Sequence, residues 1–150
     1  MKKLVFIDTN ILVQWIMVEG KILDYLINKF NLSAEFKHVY IERYEMSLTL
    51  LNNILDQKYT KTIEFSVSTL VTNELFSGIK SELISILKLK EGIPLSKWND
   101  TRNIPEISEE IYKEVYNRIL RAFDQLFSKH KLELIEEKNA LTIKGYYDIF

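Results

Sequence analysis

A chain of 150 residues, 47% apolar and 27% charged, is long enough for a real core and reads as a single domain, 1–150. A formal net charge of −1 excludes a global basic field for nucleic acid, so such binding needs a local patch or a metal ion. Having no cysteine, it excludes disulfides, thiolate catalysis and Cys-based zinc sites, and only His38 and His130 supply imidazoles, in different segments.

The first ordered element is a strand at Leu4-Val5-Phe6-Ile7, a short apolar run expected to be buried on both faces. Met1-Lys2-Lys3 ahead of it does not make a signal peptide, because Asp8, Asn10 and Gln14 interrupt the apolar stretch and no cleavage site follows. Membrane insertion is likewise not expected, and a cytoplasmic location fits the composition. Asn10 is a helix N-cap candidate, the helix running to Glu19 with Gly20 as its stop. Ile22, Leu23, Leu26, Ile27 and Phe30 recur at helical spacing and predict a second helix ending near Asn31. Ser33 then caps one long helix reaching about Lys58, its stripe formed by Phe36, Tyr40, Tyr44, Leu48, Leu51 and Leu55.

Thr62 to Val67 alternates with period two and predicts the second strand. Ser68 or Thr69 caps a helix towards Leu89, weakened at Gly78 and ended by Glu91-Gly92-Ile93-Pro94. Leu95 to Asn103 reads as loop with Trp98 packed beneath it, and Trp15 as a second packing residue. Pro105 opens an amphipathic helix bearing Ile107, Ile111, Val115, Ile119, Phe123 and Phe127 on one face. Leu132–Ile135 and Ala140–Ile143 are short strand candidates. Strand–helix units separated by further helices predict an α/β domain: a three-layer fold with a central parallel sheet, helices on both faces and helix-rich insertions.

Two strand-to-helix junctions carry an acid each, Asp8 at the first and Glu74 in the helix after the second. Parallel pairing of the strands brings both towards one sheet edge, where open α/β folds bind ligands. Asp148 follows a Gly-Tyr-Tyr stretch that could start another helix. Converging carboxylates repel unless a cation lies among them, and hard oxygen donors suit Mg²⁺ or Mn²⁺. Such ions activate water for attack on a phosphodiester, chemistry that needs neither His nor Cys. Each acid also has a bland reading: Asp8 as a helix cap, Glu74 as a solvated helix residue, Asp148 as a terminal one.

Phe6-Ile7-Asp8-Thr9-Asn10-Ile11-Leu12 resembles the opening motif of the PIN-domain family, nucleases that include VapC-like toxin ribonucleases. Ser66 to Leu75, with Glu74, is similar to the second motif of that family, and Tyr146-Tyr147-Asp148-Ile149-Phe150 to the start of its third. The resemblance implies a metal-dependent endoribonuclease. Asp8, Glu74 and Asp148 would be its catalytic and metal-binding acids, Mg²⁺ or Mn²⁺ its cofactor, and Thr9 and Asn10 would hydrogen-bond around Asp8. It further implies RNA as substrate, an antitoxin protein as partner and a homodimer. The intervals between the acids are long for a compact member, and the family's fourth acid has no counterpart after Phe150. A C-terminally truncated chain is the preferred explanation, over a shifted assignment with Asp124 third and Asp148 fourth.

Two rival functions stand beside this one: a catalytically inactive or truncated PIN-like binding or scaffold module, and a nucleotide-binding α/β protein. The latter ranks last because the chain has no Gly-rich phosphate loop. Two basic runs, Lys88, Lys90, Lys97 and Arg102, then Arg118, Arg121, Lys129 and Lys131, could contact RNA phosphates or form solvated faces. Tyr40, Tyr44, Tyr112 and Tyr116 could stack bases or pack into the core.

Overall fold

In the computed structural model, the described residues are 3–56, 63–100, 102, 104–129 and 133–135. Nine elements follow in order: β1 Lys3–Phe6, α1 Thr9–Glu19, α2 Ile22–Phe30, α3 Ala34–Arg43, α4 Glu45–Leu55, β2 Ile63–Ser68, α5 Thr69–Lys90, α6 Glu109–Asp124 and β3 Glu133–Ile135. A 3₁₀ turn spans Leu95–Lys97, and a π-helical turn, Gln125–Lys129, follows α6.

The expected three-layer α/β fold with a central parallel sheet is overturned, because the described residues are mostly helical. Among the described residues, strand pairing forms a narrow ribbon of 4, 6 and 3 residues in the order β1-β2-β3, both pairings parallel. Two of the three strands fall below the usual length of about five or six residues, and helices make up most of the described chain. The ribbon's edge is also less buried than the apolar run predicts: Val5 is half-buried and Phe6 is 42% exposed.

A helix takes the central place instead. Leu12, Val13, Trp15, Ile16 and Met17 of α1 are buried, and Ile11 and Val18 pack against the same core, so α1 is apolar nearly all round. A helix without a polar face must be surrounded, and α1 lies against α2, α4, α5 and α6. Trp15 Nε1 donates to Asn52 Oδ1 of α4 at 3.0 Å, which satisfies a buried indole N–H. On the other side Gly78 of α5 meets α1, where an added Cβ would stand 2.7 Å from Val13 Cγ2. The residue expected to weaken α5 is thus a point of close approach, and the helix runs through it without a break.

Two element boundaries differ from expectation. The single long helix from Ser33 is two, divided at Tyr44 with φ −110 and ψ 17. Phe36, Tyr40, Tyr44 and Leu48 are each four apart, and each such step turns a straight helix about 40° beyond a full revolution. Over three steps the stripe leaves the core face, and the break at Tyr44 returns Leu48, Leu51 and Leu55 to it. Ser33 does cap α3, accepting from Glu35 N at 3.3 Å. Pro105 does not open α6; Ser108 caps it, accepting from Ile111 N at 3.3 Å, and Pro105 and Ile107 precede the helix, outside any regular element. The strand expected at Ala140–Ile143 falls outside the described residues.

Candidate functional site

β1 and β2 run parallel in the register Val5–Phe65 and Phe6–Ser66, and Ile7 N donates to Ser66 O at 3.0 Å just beyond the paired residues. Both strands therefore deliver their chains into helices at the same edge: β1 into α1 through Asp8, β2 directly into α5. Across that edge Thr9 Oγ1 donates to Glu74 Oε2 at 2.8 Å. A residue adjoining Asp8 is thereby tied to the acid of the second junction.

Asp8 stands at the N-cap position of α1, with extended φ −70 and ψ 145, but its side chain accepts no hydrogen bond from the helix N–H groups. Asn10, the residue expected to cap, lies inside the first turn and is exposed. The capping explanation for Asp8 accordingly loses its main support, since a cap's benefit comes from the bond its oxygen accepts. Asp8 and Glu74 are both exposed, and neither forms an ion pair with a cation among the described residues. Thr9 reaches across to Glu74 rather than back to Asp8.

As donors, two carboxylates suit a hard divalent ion such as Mg²⁺ or Mn²⁺. Among the described residues, no three His, Asp or Glu side chains are close enough to share one. Asp148 lies outside the described residues. Asp124, the acid of the shifted assignment, ends α6, where it accepts from Ser128 Oγ at 3.1 Å.

The structure redistributes the other candidates. Lys88, from the first basic run, is buried and donates to Trp98 O at 2.7 Å, under the ring expected to pack there. Lys90 lies 4.3 Å from the Phe30 ring centroid, and Arg102 takes both carboxylate oxygens of Asp100, holding that carboxyl below its usual range. Arg118 bonds Glu114 and the Lys21 carbonyl, and Arg121 shares Glu114 at 3.8 Å. Lys88 and Arg118 are engaged within the fold, whereas the Arg102 and Arg121 side chains stay largely exposed beside their partners. Tyr40 is buried, whereas Tyr112 and Tyr116 are 41% and 51% exposed.

Two features were not singled out from sequence. Burial pushes the Glu82 carboxyl above the ordinary range, with Arg43 and Tyr40 opposing the shift. Ser66 is fully buried with no partner for its hydroxyl among the described residues, although strand alternation assigns it to the polar face. The alternation reports side-chain direction; the burial of Ser66 depends on which element covers that face.

Compared with family models, curated proteins and solved structures, the chain matches none.

Proposed function

We propose that this chain is a Mg²⁺- or Mn²⁺-dependent endoribonuclease, built on Asp8 and Glu74 with Asp148 as third acid, of the kind that serves as the toxin of a toxin–antitoxin pair. The observation that carries the reading is the 2.8 Å bond from Thr9 to Glu74, which joins the two acid-bearing junctions at one edge of the strand ribbon. The unused capping position of Asp8 supports it, because the carboxylate is left free for another task.

In this reading Thr9 fixes the Glu74 carboxylate through Oε2 and leaves Oε1 available. Asp8 supplies a second carboxylate at the junction of β1 and α1. A divalent cation held by these acids would supply Lewis-acid polarisation of the phosphodiester and a more acidic attacking water. Asp8 and Glu74 would position and charge-balance it, while the RNA phosphate would bring the remaining negative oxygens.

The test is cleavage of single-stranded RNA by the full chain with Mn²⁺, compared with Asp8→Asn and with chelator. The expected result is loss of cleavage on the order of a hundredfold in the variant and complete loss in chelator. Cleavage that survives Asp8→Asn, or that is absent from the unaltered protein, overturns the proposal.

A further inference from the structure

Beside the N-terminal part of α5 is a recess of about 310 Å³ between α5 and α6, lined in part by Phe76, Ile79, Lys80, Leu83, Tyr112 and Tyr116. Its floor is apolar, with Ile79 and Leu83 from α5 and Val115 and Ile119 from α6 all buried. Its rim carries two tyrosine rings at i and i+4 on α6, which places them on one helix face. Phe76 stacks on Tyr116 with centroids 5.8 Å apart and planes 23° apart, and packs edge-on against Phe123 at 6.3 Å. Tyr116 is therefore held from behind yet remains 51% exposed. Surface helix positions are usually filled by flexible charged side chains, and neighbouring Lys113 and Glu109 of α6 follow that habit. Two half-exposed rings, one of them braced, present flat apolar surface at this rim.

We propose that this recess is a base-stacking subsite for single-stranded RNA, with Tyr116 and Tyr112 as the stacking rings and Lys80 as a phosphate contact. The inference rests on the nuclease reading of Glu74, since Ser77 in the recess lining stands one helical turn beyond it on α5. Lys80 is the one charged residue of the lining, and its ammonium has no carboxylate partner among the described residues, so the recess favours an anionic ligand. Flat rings backed by apolar packing offer a face to any nucleobase, and the adjoining cation suits the backbone that carries it. A strand seated there would run along α5 towards the Glu74 end.

The experiment is an anisotropy titration of a short labelled single-stranded oligoribonucleotide by the full chain in chelator, where binding is read without cleavage. Tyr116→Ala should weaken binding roughly tenfold, and Tyr116→Phe should restore most of it. Lys80→Gln should lower the slope of affinity against salt by about one phosphate contact. Circular dichroism melts establish that each variant is folded. Tyr116→Ala binding within twofold of the unaltered protein, equal binding of duplex RNA, or no RNA binding with a Tyr116-dependent change in oligomer mass each overturns the subsite. Weakened binding by Tyr116→Ala together with unaltered cleavage by Asp8→Asn supports the subsite and sinks the nuclease centre. The reverse pattern sinks the subsite alone.

Discussion

At the scale of single residues, Asp8 occupies a position where a carboxylate normally earns its place by capping, and it does not cap. Asp8→Asn is therefore expected to leave thermal stability within about 0.5 kcal/mol of the unaltered protein while cleavage is lost. Differential scanning calorimetry run beside the RNA assay checks both halves, and a large fall in Tm would show a structural role instead. Thr9 acts through Glu74, so Thr9→Val should cost about tenfold in activity, with Thr9→Ser retaining most of it. Glu82 makes a different prediction, about pH. Burial raises its carboxyl in the folded chain, with the Arg43 charge and the neighbouring Tyr40 hydroxyl only partly offsetting this. The folded state then holds the Glu82 proton more tightly than the unfolded state, so this group's penalty is present at neutral pH. It fades as pH falls through the raised folded value and is gone below the ordinary carboxylate value. Glu82→Gln should raise Tm at pH 7 and flatten this part of the stability–pH curve. An unchanged Tm at pH 7 would refute it. The same burial pushes the Tyr40 and Tyr44 hydroxyls up, and both stay protonated across this window.

At the scale of elements, α1 and α5 approach closely where Gly78 leaves room for Val13. Gly78→Ala gains helix propensity but forces its Cβ against Val13 Cγ2, and overpacking of that kind costs about 1–3 kcal/mol. Because α5 carries Glu74 and α1 carries Thr9, the same change should also lower cleavage by displacing one junction from the other. Gly78→Ala with Val13→Ala should recover stability, measured by urea denaturation; failure of that rescue would show that the contact is not the cause. The α3–α4 break illustrates how an apolar pattern and a helix can disagree. Residues spaced only by four drift around the helix, and the chain breaks where the drift would bring a core residue into solvent.

At the scale of the molecule, stability is centred on α1, whose Ile16 is fully buried amid several helices. Ile16→Ala should cost about 2–5 kcal/mol in urea unfolding, close to the larger end because neighbours on all sides limit collapse into the cavity. Asn52→Ala should cost about 1–3 kcal/mol, since it strands the buried Trp15 N–H. No helix among the described residues is long and apolar enough to cross a membrane.

The sequence by itself determined most local structure: β2 by alternation, α2 by its 3.6-residue stripe, the α1 stop at Gly20, and Trp15 as a core residue. It also marked Asp8 as an acid at a strand end and, through the motif resemblance, Thr9 and Glu74 beside it. Only the tertiary structure decided that a helix rather than a sheet is central. Apolar residues all round α1 and apolar residues in a buried strand look alike in one dimension, and their neighbours alone distinguish them. It also decided that Lys88 and Arg118 are engaged internally, that Tyr112 and Tyr116 remain exposed, and that Thr9 meets Glu74. Those contacts join residues far apart in the chain, and no local pattern encodes which distant partner a side chain will find.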